Sequence, residues 1–371
     1  MTKLLLTRFL YIFDEVCISF LTSLLKKQSL DECYFWISEL YLSGLHNQCW
    51  EFMWFTYYDF YYMNNPFFEE YLIKKYAIND FKSILSVIKN MFKLKSSPHI
   101  FMTRQYNKNV KEITHIFRGK KPNWLIKYPS KYHALLRFID KKLYHFAVSC
   151  LPDIIDDEFI NVIKIYFNIP DELFSSTSKL LHNNDYNNHV HKVWSFICLF
   201  IFNPLFNESK KKIYTSCSQS EYDKIMNHHN ESIPPSKYNN PQIYKTLEYK
   251  RTFAINPLCS SFQLLRDSSE NICHEFWYHW EFHTLSTPIW IERFEKYNIE
   301  INHDKKRVEF LDDDELEDFY SQYGYEPDEQ STETQNKALS LIQDNNWKKW
   351  YENIFQDIQL FNFKDDFKFA Y

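Results

Sequence analysis

Glycine is nearly missing from this chain. Only Gly44, Gly119 and Gly324 occur in 371 residues, where average usage of about 7% would supply roughly 26. A phosphate-cradling loop needs several glycines close together so that backbone N–H groups can approach the anion, and these three lie far apart. Rossmann, P-loop and kinase-type nucleotide sites are therefore not expected. Paired cysteines are lacking too. Cys17, Cys33, Cys49, Cys150, Cys198, Cys217, Cys259 and Cys273 show no C-x-x-C spacing, which argues against structural zinc and a disulfide framework and for a reducing compartment. Long apolar runs are absent as well: the longest, Val193 to Phe202, is too short to span a bilayer. The N-terminal leucine run is interrupted by Arg8, Asp14 and Glu15 and has no small-residue cleavage site after it, so it makes a poor signal peptide. No G-x-S-x-G elbow, papain-like cysteine context or S-x-x-K set occurs. His189, His191, His228 and His229 sit in polar, loop-like surroundings that assign them no chemistry.

Aromatic rings are present in excess, with 34 Phe, 27 Tyr and 10 Trp making 19% of the chain. Each ring can hide about 150–250 Å², so rings must carry much of the burial. Scarce Gly alongside abundant Asn, Lys, Ile, Tyr and Phe also matches the codons of an AT-rich genome, which accounts for part of the bias. The pattern is that of a mainly α protein built from antiparallel helical hairpins or a bundle. Leu10, Phe13, Cys17, Phe20 and Leu24 recur at helical spacing, and Ser29-Leu30-Asp31-Glu32 has the form of a capping box for a second helix closed near Gly44. Asn47 is placed to cap a third, almost wholly aromatic helix, and such a helix should be enclosed by its neighbours. Asn65-Pro66 starts a fourth and Asn79 opens a fifth. Further helices are expected from Ser130 through Phe146 and near 156–167, 171–182 and 189–203. A short one should begin at Ser218, an aromatic one should cover 269–286, others should start at Pro288 and Asp313, and the last should run from Thr332 through Trp350. The alternating runs 299–301 and 307–310 are the best β-hairpin candidate.

Composition shifts divide the chain into an aromatic-rich helical domain at 1–95, a basic connector and helical region at 96–206, a polar linker at 207–250, and a C-terminal helical domain at 251–371 carrying the hairpin and an acidic segment.

Two charge poles stand out. Between Arg104 and Lys142 eleven basic residues face two acids, Glu112 and Asp140. Of these, Arg104, Lys108, Lys111, Arg118, Lys120, Lys121, Lys127, Lys131, Arg137 and Lys141, with Trp124 among them, form the candidate polyanion-binding set. Cations would meet phosphates while interleaved rings stack on bases. The competing reading is a solvated basic surface, or one that meets the protein's own acids. The acidic pole, eleven acids between Val308 and Asn336 with no Lys or Arg, lacks the central glycine of a calcium loop and is better explained by helix capping. One metal candidate exists, because Glu275, His279 and His283 are spaced four apart and share a helix face. They match neither H-E-x-x-H nor the di-iron E-x-x-H, and an aromatic-packed helix with hydrogen-bonded histidines is the competing reading.

Several strings together look similar to a protein family shared among nucleocytoplasmic large DNA viruses of the mimivirus and phycodnavirus kind. They are Phe13-Asp14-Glu15-Val16-Cys17-Ile18-Ser19, Leu30-Asp31-Glu32-Cys33-Tyr34-Phe35-Trp36, Asn65-Pro66, His279-Trp280-Glu281-Phe282 and the turn Tyr323 to Gln330. The resemblance implies action in an infected host cell's cytoplasm (the viral factory) or in the virion, and it carries over no catalytic residue. The expectation is a non-enzymatic helical scaffold or interaction protein with a protein partner, its basic connector contacting nucleic acid or an acidic partner. A metal-dependent enzyme built on Glu275, His279 and His283 is the alternative. No cofactor, no membrane and no identifiable small-molecule substrate enter this reading.

Overall fold

The computed structural model describes residues 4–109, 117, 120–156, 158–182, 186–204, 206, 213–230, 243–266, 272–340, 345–356, 363–364 and 366–370, without the side chains of 106–109, 180 and 182. The chain is mainly α, with one two-stranded antiparallel hairpin among the described residues. It divides into two compact units, one of residues 1–52, 216–356 and 365–371, the other of 53–215 and 357–364. This grouping does not follow the sequential division drawn from composition, since the first helices cluster with residues more than 160 positions on. The expected linker lies partly outside the described residues, at 207–212 and 231–242.

In the first unit, α1 (Phe13–Lys26) and α2 (Leu30–Tyr41) form the expected antiparallel pair. Ser29 accepts the Glu32 amide at 3.1 Å, but the Glu32 carboxylate accepts the Trp36 indole N–H at 3.2 Å. Burying an indole requires a partner for its N–H, and Trp36 is fully buried. Beyond α2, Gly44 has φ +83°, and a Cβ there would sit 2.6 Å from Pro288 Cβ. Hairpin strands β1 (Ile299–Asn302) and β2 (Arg307–Phe310) pair Ile299 with Phe310 and Asn302 with Arg307, as the alternation predicted. The helix at Ser218 also forms (Gln219–His229), and there both halves of the capping box close.

Three buried arginines tie the N-terminal segment of this unit to distant parts of it. Arg251 donates to the carbonyls of Phe9, Leu10 and Thr334 at 3.1, 3.1 and 3.2 Å, which holds Leu10 at φ 57°, a conformation a non-glycine residue seldom adopts. Arg266 Nε lies 2.6 Å from Glu15 Oε1, while the Ser340 amide donates to Glu15 Oε2 at 2.6 Å. Arg8 donates to Glu39 at 3.3 Å and to the His229 carbonyl at 3.0 Å, and its other nitrogen meets His229 Nδ1 at 2.7 Å. A guanidinium only donates, so Nδ1 must keep its lone pair and His229 stays neutral.

In the second unit α3 (His46–Thr56), which begins in the first, runs on into a π-helical turn, Tyr57–Tyr61. Tyr57, Tyr58, Phe60 and Tyr61 there are almost completely buried, as an aromatic-all-round helix requires. α4 (Phe68–Ile78) and α5 (Phe81–Lys93) follow. Asn79 does not open α5 as expected. It ends α4 in the left-handed region at φ 53°, which Asn tolerates, and Asp80 caps α5 by accepting the Ser83 amide at 2.6 Å. The start of the basic connector, where no helix is expected before Ser130, holds α6 (His99–Asn109), whose Ile100, Phe101 and Met102 are buried. Trp194, in the buried helix His189–Phe202, donates to Thr103 of α6 at 2.8 Å.

Some expected long helices are shorter pieces. The one from Ser130 breaks where Lys142 takes φ 58°, giving His133–Asp140 and Tyr144–Cys150. The aromatic one breaks at His279 (φ −130°, ψ 24°) into Ile272–Tyr278 and Trp280–Thr284. The last is Thr332–Lys337, capped by Ser331, and Trp347–Phe355, capped by Asn346. No described helix is long and apolar enough to cross a membrane.

Gly44→Ala should lower the unfolding free energy by about 1–3 kcal/mol through backbone strain alone, read as a reduced denaturant midpoint. Burial, and then the Arg8 charge, depress the His229 pKa from 6.5 to about 2. Its folded-state value lies below its unfolded one, so its contribution is complete above pH 6.5 and is lost progressively as pH falls toward 2. His229→Gln is expected to flatten the loss of stability between about pH 7 and about pH 5. An unchanged pH slope would remove His229 from that role.

Candidate functional site

The basic segment lies in the second unit, and its members do different jobs. Pro122 leads into a short 3-10 turn, Asn123–Lys127, which places Trp124 half-buried against Tyr166 at 5.8 Å and Tyr128 at 6.3 Å. Lys120, Lys121 and Lys127, close to Trp124 in sequence, are exposed, with Lys127 Nζ 5.0 Å from the centre of the Tyr128 ring. Lys141 is exposed beside Asp140 at 3.6 Å. Lys131 is held by Asp156 at 2.5 Å and Glu158 at 3.4 Å, and the Arg137 guanidinium covers the Phe117 ring at 3.9 Å. Lys111 and Arg118 fall outside the described residues, as does the Lys108 side chain.

Arg104 does not belong to that surface. It donates to both oxygens of Asp59, at 2.5 and 2.7 Å, where Asp59 is 2% exposed on the π-helical turn. His191 Nε2 meets the same carboxylate at 2.9 Å, and its Nδ1 contacts the Tyr186 hydroxyl at 2.8 Å. Tyr186 in turn stacks on Tyr58 at 5.0 Å and Trp54 at 6.0 Å. Burial works against the Asp59 charge, but Arg104 and His191 outweigh it and hold the carboxyl below its usual range. The Asp–His–Tyr chain resembles a proton relay in composition, yet Asp59, His191 and Tyr186 are all buried. Its evident work is to fix the aromatic turn.

In the first unit the expected trio Glu275, His279 and His283 is only partly assembled. One ligand atom each from His274, Glu275 and His279 lies within 4.8 Å of the others. The bend at His279 sets its ring 5.5 Å from that of His274. His283 is buried, and its Nε2 meets Glu275 Oε2 at 3.3 Å, so it supports the carboxylate. The turn of the hairpin supplies the rest, since Lys306 Nζ contacts the same Oε2 at 2.6 Å and the Lys306 carbonyl meets His279 Nδ1 at 3.0 Å. Burial raises the Glu275 pKa, but the bonds from Lys306 and His283 prevail and keep it below the usual carboxylate range. Sequence spacing missed His274 and Lys306 because a straight helix would turn His274 away, and Lys306 comes from another element. The acidic pole serves locally, Asp312 capping the helix Asp313–Tyr323 and Asp318 accepting from the Tyr297 hydroxyl at 2.8 Å.

No protein-family model, curated protein or solved structure matches this chain. Its class is therefore set by its own architecture, a mainly α protein with one small hairpin among the described residues.

Arg104→Ala should cost about 3–5 kcal/mol, because it removes the full positive charge that holds a buried carboxylate and leaves only His191 beside it, whereas Lys121→Ala should stay within about 0.5 kcal/mol. Urea denaturation of both variants checks this. A loss below about 1 kcal/mol for Arg104→Ala would return that arginine to the surface set.

Proposed function

We propose that this protein is a non-enzymatic helical interaction protein that holds single-stranded nucleic acid on the rim formed by Lys120, Lys121, Trp124 and Lys127. The observation that carries this reading is the exposure of three lysines within four residues of a tryptophan that packs against Tyr128 and Tyr166 and is only half-buried. Lysines on a flexible stem neutralise phosphates, and an indole face accepts any base by stacking. Lys141 extends the same charge. Arg104 is excluded from the contact, and Lys131 and Arg137 are secondary to it, since each already has an internal partner. The resemblance to the large-DNA-virus family would put this role in viral genome expression, replication or assembly, within the infected cell's cytoplasm or the particle.

Fluorescence anisotropy with single-stranded DNA and RNA at about 50 and about 200 mM salt tests the reading. Each phosphate contact adds about 0.7 to the slope of log K against log salt. Lys120→Glu with Lys121→Glu should weaken binding and flatten that slope. Trp124→Ala should cost about 1–3 kcal/mol of binding with the slope nearly unchanged. Absence of binding at about 50 mM salt would overturn the proposal, and binding of polyglutamate in its place would assign the rim to an acidic protein partner.

A further inference from the structure

We infer that His274, Glu275 and His279 form a zinc-binding site, with Lys306 and His283 as its supporting shell. Three donors within 4.8 Å of one another are close enough to converge on one ion after small side-chain rotations. Proximity alone is weak evidence. Two of the three donors are also already oriented.

His279 Nδ1 lies 3.0 Å from the Lys306 carbonyl. A carbonyl only accepts, so Nδ1 carries the proton and the lone pair of the neutral ring is on Nε2. Fixing a histidine's tautomer through a backbone carbonyl is the usual outer-shell arrangement for a metal-bound imidazole. Glu275 is fixed in the same way. Its Oε2 is taken by Lys306 Nζ at 2.6 Å and by His283 Nε2 at 3.3 Å, which leaves Oε1 as the donor. The bend at His279 brings its ring back over His274, with the planes at 54°. His274 is exposed, and its ring packs between those of Tyr278 at 5.0 Å and His279 at 5.5 Å, beside the other two donors.

Two imidazoles and one carboxylate suit a borderline divalent ion, and zinc takes this donor set with a fourth, open position. The Lys306 ammonium occupies only the far carboxylate oxygen, so it orients the ligand without taking the oxygen that remains. Three protein ligands leave a fourth position open, available to water or to a donor from another molecule. This site lies in the first unit and is independent of the nucleic-acid reading.

The test uses the full chain, zinc alone, equilibrium dialysis and cobalt absorption. One zinc per chain is expected. His274→Ala, which alters an exposed residue, and His279→Ala should each abolish stoichiometric binding, and Lys306→Gly should leave the Lys306 carbonyl in place yet weaken binding about 10–100-fold by releasing Glu275. His133→Ala, in the other unit, should change nothing. Cobalt should give the intense visible bands of a four-coordinate site in the parent chain and lose them in His274→Ala. Circular dichroism confirms that each variant is folded. Absence of zinc at micromolar concentration, or one zinc retained by the His274→Ala, His279→Ala double variant, would overturn the inference.

Discussion

Burying aromatic rings in bulk forces a polar problem on this protein, and paired charges inside each unit solve it. A core made of Trp, Tyr and Phe brings indole and phenol groups, loop carbonyls and the odd carboxylate out of water, and each one left unsatisfied costs about 1–3 kcal/mol. Arginine is the residue best equipped to satisfy several at once, with five donors on a rigid plane. In the first unit Arg251 alone satisfies three carbonyls, while Arg8 and Arg266 close on Glu39 and Glu15. The N-terminal segment is held in place by these bonds as much as by its apolar face. A buried ion pair is not in itself a source of stability, but the removal of one partner is severe. The register of this segment therefore depends on them.

The second unit uses the same chemistry around Asp59. A π-helical turn widens the helix by one residue and aims a carboxylate inward among tyrosines. Arg104 and His191 neutralise it, and Tyr186 continues the chain of bonds into a stack of rings. The consequence reaches the candidate function. An arginine that looks, by its neighbours in sequence, like part of a basic surface is removed from that surface, and the polyanion rim contracts to the residues around Trp124.

Contacts within the first unit likewise rearrange the candidate metal donors. A break in one helix and a turn in a distant hairpin together decide which histidine lies among the candidate donors and which hydrogen-bonds Glu275 from beneath. His283, spaced correctly for a ligand, is buried beneath Glu275, and His274, spaced wrongly, is brought alongside.

Local sequence alone dictates the class of fold, the hairpin at 299–310, the start of the helix at Ser218 and the burial of the aromatic third helix. Each of these depends on local periodicity or on a cap that closes within four residues, so near neighbours carry the information. It did not determine the helix α6, the left-handed ending at Asn79, or the breaks at Lys142 and His279, because a helix stops where its environment makes stopping cheaper, and that environment comes from elsewhere in the chain. Nor could it assign the partners of Arg104, Arg251 and Glu275. Those are contacts between residues separated by 8 to 242 positions, and a charge has no fixed meaning until folding decides what lies beside it.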